Sequence, residues 1–355
     1  MKGVKFRIGH NSKFSIKDST GDLKETPSSN VLFSAIINNI NLLYGEEEAS
    51  NSIGLFNDSS FSISSMFIGL DFYNIKTNEL EKTLYFVPKP EAIIEKDFLG
   101  DIEELEQNVV KRKTAKKIKL ISLETLKQIG ETWKENDKKF NFDLFNLKNI
   151  GSNLACLENE VENLGIKDSL HKISIEERVS NPHVKIDRLT TSSDNFYYED
   201  EVIYHYHYED DYRIEPFMYF MYTGDLTPKL KSAINLIVDE GIGGRRSTGA
   251  GVFLSNEYVD INLSDNSNPN IFMILSAYFP LKEEVDKLLG YKLEKVDGYV
   301  YYRGGQPYRK KSLVLIKEGA LVSQRVKGNI VDVTPKWYNT KNNIYCYGKA
   351  FSIGI

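Results

Sequence analysis

Between Gly241 and Phe253 the chain reads GIGGRRSTGAGVF, with glycines at 241, 243, 244, 249 and 251 around the pair Arg245-Arg246 and the hydroxyls of Ser247 and Thr248. Glycine lets successive backbone N–H groups turn outward as an anion-binding nest, and it lets a polyanion come close. The arginines add forked donors suited to phosphate oxygens, and the hydroxyls add single donors. The run is therefore expected to hold a phosphate-bearing backbone. Its order excludes two nucleotide loops. A Walker A loop requires Gly-Lys-Ser/Thr, absent here, and a dinucleotide fingerprint leaves a strand and enters a helix. This run leaves a helix and enters a strand. The plainer alternative makes Gly241 a helix cap and the rest a tight turn, which gives two adjacent arginines no purpose.

Other residue types with chemical potential are scattered. His10 and His183 are candidate general acids or bases for RNA cleavage, but neither has an evident partner nearby in sequence. His205 and His207 alternate with Tyr204, Tyr206 and Tyr208 on an expected strand, either as a metal pair or as an exposed aromatic edge. Asp187 stands next to Arg188, where a salt bridge or hairpin anchor competes with a catalytic carboxylate. Lys111 to Lys119 holds six Lys/Arg in nine positions, either a solvated face or a support along nucleic acid. Tyr301, Tyr302 and Arg303 suit base stacking or sheet packing. Cys156 and Cys346 lack any metal or redox spacing, so inert thiols are expected, with no metal and no cofactor.

The elements that must position the glycine run follow from periodicity. Thr227 and Pro228 open a helix with Leu230, Ala233, Ile234, Ile237 and Val238 on one face, and Gly241 stops it. VFLSNEYVDI (252–261) then reads as a strand. Earlier come a strand at 2–8, a helix from Pro27-Ser28-Ser29 with Leu32, Ile36, Ile40 and Leu43 on one face and Gly45 beyond it, and a strand pair at 61–75 and 82–87. KIKLI (117–121) reads as a strand, followed by a helix capped by Ser122 that carries Leu126, Ile129 and Trp133. Residues 140–180 show weak patterning. Residues 183–208 read as an extended ribbon turning at Thr190 to Asn195, hence a protruding β-hairpin thumb. MYFMYTGDL (218–226) is a further strand.

Ser264 to Pro269 has linker composition and sets a boundary. Beyond it the order is strand 271–279, helix 281–289, then strands 292–303, 312–323 and 344–353. The expected class is α+β, two tandem ferredoxin-like (RRM-like) domains: residues 1–265 with insertions, the thumb and the glycine-rich loop, and residues 266–355. The chain has 355 residues, 21 Tyr and 19 Phe, a net charge of −5, and no apolar run long enough for a membrane helix. A non-specific nucleic-acid coat is excluded by that charge, while a basic groove on an acidic body is not. Acidic clusters at Glu46-Glu47-Glu48 and from Glu199 to Glu215 suggest a face for a basic protein partner. Basic clusters stand at Arg245-Arg246 and Arg309-Lys310-Lys311. A cytoplasmic location is expected.

The helix followed by GIGGRRSTGAGVF resembles the signature of RAMP proteins, the repeat-associated RNA-binding proteins of CRISPR systems. Three further stretches are similar to one branch of that superfamily: VKFRIGH with SSNVLFSAIINN, NPHVKIDRLTTSSDNFYYEDEV (181–202), and IYCYGKAFSI (344–353). They resemble the fourth-subunit family of the type III-A Csm effector complex. Asn30 departs from the usual Asp at the start of the first helix, and Asn342-Asn343-Ile344 stands where His-Pro-Val is common.

The resemblance implies a non-catalytic subunit that grips the 5′ repeat-derived handle of the CRISPR RNA. It also implies docking on the large polymerase-like subunit and on the adjacent backbone RAMP subunit, away from membranes. Gly243, Gly244, Arg245, Arg246, Ser247, Gly249 and Gly251 would hold the handle backbone. His183, Lys185, Asp187 and Arg188 would lie at the base of the thumb beside the guide, and His10, which follows the first strand, is expected near the glycine loop as a further RNA contact. A RAMP-type endoribonuclease that processes repeat RNA is the alternative.

Overall fold

The computed structural model describes residues 1–58, 61–95, 115–166, 168–263, 269–300, 307–335 and 343–355. In chain order, the elements up to the glycine run begin with β1 (Lys2–Arg7), β2 (Ser12–Phe14), α1 (Ser29–Tyr44) and α2 (Glu46–Asn57). There follow β3 (Phe67–Asn74), β4 (Leu80–Pro88), β5 (Leu120–Ser122), α3 (Leu123–Gly130), β6 (Lys148–Ile150) and β7 (Leu154–Cys156). Then come β8 (Glu176–Ile186), β9 (Ser193–Tyr204), β10 (Tyr212–Thr223), α4 (Pro228–Asn235) and α5 (Ile237–Glu240). After the glycine run comes β11 (Ser255–Asp260).

A single long sheet runs β6-β7-β5-β4-β3-β10-β1-β11. Its four strands β3-β10-β1-β11 each run antiparallel to their neighbours. They are joined by two helical crossovers, α1 from β1 to β3 and α4–α5 from β10 to β11. Strand alternation gives this sheet two unlike faces. Val4, Phe6, Leu70, Phe72, Met218 and Phe220 pack against Leu32, Phe33, Ile36 and Ile40 of α1 and Leu230, Ala233 and Ile234 of α4. Burial of each such side chain contributes about 1.5–3 kcal/mol. Asn39 Nδ2 donates to Ala233 O at 3.0 Å and fixes the two helices to each other.

The opposite face is divided. Phe67, Tyr219, Met221 and Ile261 are covered by Met273, Leu275, Phe351 and Ile353 from the C-terminal part. Beside them Lys5 Nζ meets Asp71 Oδ2 at 2.7 Å, with both side chains nearly out of water. Thr83 donates to the other Asp71 oxygen at 2.7 Å, and Lys5 lies 4.4 Å from the Phe217 ring centroid. Burial raises Asp71 above the ordinary carboxylate range, against the pull of Lys5.

The C-terminal part contains β12 (Phe272–Ile274), β13 (Leu288–Gly290), β14 (Leu321–Val322) and β15 (Ser352–Gly354), which form a sheet in the order β13-β14-β12-β15. Three hairpin pairs surround it. It is tied to the start of α1. Ser29 Oγ accepts from Ala277 N at 3.0 Å, and Asn30 Oδ1 accepts from Tyr347 N at 3.3 Å. Two of the stretches that carry the family resemblance, SSNVLFSAIINN and IYCYGKAFSI, thus meet in the fold.

Several expectations change. Helix 281–289 is a 3₁₀ helix at Lys282–Lys287, because the Glu284 carboxylate is committed to Tyr278 Oη and to the backbone N–H groups of Leu281, Lys327 and Gly328. Among the described C-terminal residues there is no α-helix, so the expected order of strand, helix and three strands is not seen there. Of KIKLI (117–121), Lys117 ends a helical turn that spans 115–117, and the strand begins only at Leu120. Trp133 lies beyond α3, in a two-residue strand. Leu43 of α1 is exposed, and Gly45 is the hinge into α2, whose first turn carries Glu46, Glu47 and Glu48 where the helix dipole favours anions. Residues 140–180, weakly patterned in sequence, hold only short elements, including the strands β6 and β7, between turns and irregular chain. The expected linker lies outside the described residues apart from Pro269, as do Tyr301, Tyr302 and Arg303, Lys111 to Thr114, and Asn342.

Candidate nucleic-acid interface

The helix before the glycine run starts as its residues dictate. Thr227 Oγ1 accepts from Leu230 N at 3.2 Å, and Pro228 occupies the first turn. Gly241 then takes φ +72°, and the chain folds back on itself. Ile242 N donates to Gly251 O at 3.0 Å, so the run closes at its base. At Gly251, φ is +81° and an added Cβ would lie 2.1 Å from Ile242 O. Only glycine fits that closure.

The glycine run is pinned to β2 and the chain that follows it. Gly244 N donates to Ser15 O at 2.8 Å and Gly251 N to Lys13 O at 2.7 Å. These two amides are therefore spent on the protein, not available to an anion. The outer arc, Gly244 with Arg246 to Gly249, is exposed. Arg245 is left-handed at φ +59°, Arg246–Thr248 form a 3₁₀ turn, and Gly249 is left-handed again. The turn is closed by its own amides, Thr248 N donating to Arg245 O and Gly249 N to Arg246 O at 3.0 Å each, and Thr248 Oγ1 donates to Arg245 O at 2.9 Å.

On its other edge β2 pairs with β9, and β9 pairs with β8 over the whole hairpin. That hairpin begins at Glu176, seven residues before the expected ribbon, and its strands end at Ile186 and Ser193. Glu199 and Glu201 share one face of β9 and reach toward the glycine run. Arg245 Nη1 contacts Glu199 Oε2 and lies 3.5 Å from Glu201 Oε1. Glu201 also accepts from Asn181 Nδ2 at 3.2 Å and has Lys13 Nζ at 3.9 Å. His183 Nε2 faces the same Glu199 oxygen at 3.0 Å without hydrogen-bond alignment, and its ring stacks on Tyr197. The opposite hairpin face is apolar, with Val184 across from Phe196 and Pro182 across from Tyr198.

The expected site residues therefore divide. His183 and Arg245 come together through Glu199. Gly243, Gly244, Arg246, Ser247 and Gly249 share the loop, with Gly251 at its base. Lys185, Asp187 and Arg188 lie further along the hairpin. Asp187 is the anchor of its turn: Oδ1 accepts from Leu189 N at 2.8 Å and Thr190 N at 3.3 Å, which holds its carboxyl below the usual range. His10 sits at the hairpin root instead. Its Nδ1 accepts from Tyr206 N at 2.9 Å, and its ring lies 5.8 Å from that of His205. Tyr204 is fully buried and donates to Glu25 O at 2.7 Å, so the expected aromatic edge begins only at Tyr206.

The acidic stretch from Glu199 to Glu215 is largely paired within the chain. Glu215 meets Arg7 at 3.1 Å and Arg213 at 2.8 Å, and Asp211 meets Lys76 at 2.8 Å. Glu199, Glu201, Lys13 and Asn181 were the site residues that sequence reasoning missed. Their one signal was two carboxylates spaced by two on a strand, which places both on one face. Burial pushes the Cys156 and Cys346 thiols up, and both are free. Among the described residues no group of three His, Cys, Asp or Glu is arranged for a metal, and no helix is long and apolar enough to cross a membrane.

At the hairpin root, burial and then the neighbouring Glu25 carboxylate raise Glu176 from 4.5 to about 7, against Arg178 and Lys119. A carboxyl raised in the folded state stabilises fully below its unfolded pKa and loses that contribution as pH rises through the folded value. Wild type is thus expected to lose about 2–3 kcal/mol relative to Glu176→Gln between pH 4.5 and pH 7. Melting both proteins across that range checks it, and a constant difference contradicts it.

Comparison with known proteins assigns the class first. The chain superposes on a chain of a crystal structure of the Csm3-Csm4 subcomplex in the type III-A CRISPR-Cas interference complex, with TM-score 0.64 and 25% identity, covering 100% of this chain and 99% of that one. A Csm1-Csm4 cassette in complex with cA4 shares the fold at TM-score 0.52 and 17% identity, covering 100% and 98%. The family model for the CRISPR Csm4 C-terminal domain matches residues 267–355. The "CRISPR system Cms protein Csm4" of Methanocaldococcus jannaschii is 30% identical, over 95% of this chain and 89% of the relative. Its counterpart in Thermococcus onnurineus is 26% identical over half of this chain and 54% of the relative. This chain belongs to the Csm4 family of CRISPR effector subunits.

Proposed function

We propose that the chain is a non-catalytic, RNA-holding subunit of a type III-A complex, which grips the 5′ repeat-derived handle of the CRISPR RNA. The observation that carries this reading is the exposed outer arc of the glycine run, Gly244 with Arg246 to Gly249, held rigid by Ser15 and Lys13 beside a projecting hairpin. A rigid arc that presents the exposed Arg246 guanidinium and Ser247 hydroxyl suits phosphates, which position RNA without reading it. The exposed Phe196 and Tyr198 on the hairpin offer flat faces to splayed bases. The strand order β3-β10-β1-β11 with its two helical crossovers supports a ferredoxin-like unit within residues 1–265. In this proposal the hairpin is its thumb, and residues 266–355 form a second, helix-poor lobe. The solved relatives support a bridge from a Csm1-like large subunit to a Csm3-like backbone subunit.

The rival endoribonuclease needs a free acid–base histidine. His10 spends Nδ1 on a backbone amide, and His183 is stacked on Tyr197 and set against Glu199. The test is to incubate repeat RNA with the chain alone and with its large and backbone subunits, then assay retention and cleavage. Bound, intact RNA is expected. Cleavage that disappears in His10→Ala or His183→Ala would establish the nuclease instead.

A further inference from the structure

The two adjacent arginines of the glycine run have different surroundings. Arg245 is about one-quarter exposed and committed to two carboxylates on the hairpin, Glu199 and Glu201. Glu201 is itself almost buried, and its other oxygen is held by Asn181 and approached by Lys13. Two positive groups and two negative ones balance there, so the cluster offers no net attraction to a phosphate. A phosphate brought to Arg245 would also meet the Glu199 and Glu201 carboxylates, which repel it. Arg246 is 44% exposed, and its partner Glu240, equally exposed, is 3.9 Å away. An ion pair of that kind is screened and gives way readily.

The backbone connections complete the contrast. β2 is bonded to the hairpin strand β9 on one side, and the chain at Lys13 and Ser15 accepts amides of the glycine run on the other. Arg245 spans the same junction through side chains. The hairpin and the phosphate-holding arc are thereby joined twice, once by backbone through β2 and once by the Arg245 carboxylate clamp.

We infer that Arg245 is a positioning residue that locks the hairpin against the glycine run, and that Arg246 is the one of the two that meets phosphate. The assignment of Arg246 rests on the proposed RNA-holding function, whereas the Arg245 clamp is a property of the fold alone. Each residue then has its own signature. Losing a phosphate contact flattens the salt dependence of binding, by about 0.7 in log–log slope for a single strand. Losing a clamp weakens binding by the same factor at every salt concentration and loosens the hairpin.

The experiment measures binding of single-stranded RNA carrying the repeat-derived handle to the full chain, titrated over salt, with amide exchange followed across 176–204. Arg246→Ala is expected to flatten the slope by about 0.7 and leave hairpin exchange unchanged. Arg245→Ala is expected to keep the wild-type slope, lower affinity uniformly, and speed hairpin exchange. Glu199→Gln with Glu201→Gln frees the Arg245 guanidinium without deleting it, so the slope becomes steeper. If Arg245→Ala flattens the slope as Arg246→Ala does while hairpin exchange stays at the wild-type rate, the inference is overturned. If the wild-type chain shows no salt-dependent RNA binding either alone or assembled with its large and backbone subunits, the proposed function fails, and the exchange arm still decides the clamp.

Discussion

Replacing Asp71 by alanine is expected to destabilise the protein by about 3 kcal/mol, because it leaves the Lys5 ammonium buried without its closest partner. The Lys5 side chain is 6% exposed and that of Asp71 2%, so neither charge is repaid by water. Glu257, at 3.3 Å from Lys5 but half exposed, recovers part of the interaction and keeps the loss at the lower end of the usual range. The pair itself need not be net stabilising, since desolvation opposes it. The double variant Lys5→Met with Asp71→Leu is therefore expected to regain most of the stability lost by Asp71→Ala. Denaturant titration of the three proteins checks both statements. A loss under about 1 kcal/mol for Asp71→Ala would show that water reaches this face.

The second large effect concerns Gly251. Gly251→Ala must put an L residue at φ +81° and a Cβ against the Ile242 carbonyl oxygen. The left-handed backbone alone costs about 1–2 kcal/mol, and the backbone contact cannot be relieved by a rotamer change. A total above about 2 kcal/mol is expected, together with weakened RNA binding as the Gly251-to-Lys13 hydrogen bond shifts. Gly249 supplies the control. It too is left-handed, at φ +85°, but an added Cβ meets open space. Gly249→Ala should cost only the backbone share, about 1 kcal/mol. Equal losses at the two positions would mean that the closure between Ile242 and Gly251 does not hold the run.

What could be read in the sequence was what short-range chemistry fixes. Thr227-Pro228 and Gly241 delimit a helix by capping and by backbone handedness, and the structure places both there. β1 and α1 were legible from their periodicity. α2 was not, since EEEASNSIGLFN has no clean apolar stripe and its helix depends on Ala49, Ser52 and Phe56 packing inward. The short strands β6 and β7 were missed because each is stabilised by neighbours that local patterning does not reveal, including the parallel pairing of β7 with β5. Among the site residues, the glycines announced themselves by type. The roles of the arginines did not, because what separates Arg245 from Arg246 is a pair of carboxylates more than 40 residues away.

The central claim is that the outer arc of the glycine run lies against the RNA handle, and crosslinking tests it most directly. A guide RNA with a photoreactive uridine placed at successive handle positions is assembled with the chain and its two neighbouring subunits, and the crosslinked peptides are identified. Crosslinks from the handle to residues 243–251 and to the hairpin at 183–188 are predicted. Handle crosslinks confined to the neighbouring subunits, with Arg246→Ala assembling RNA as wild type does, would contradict it.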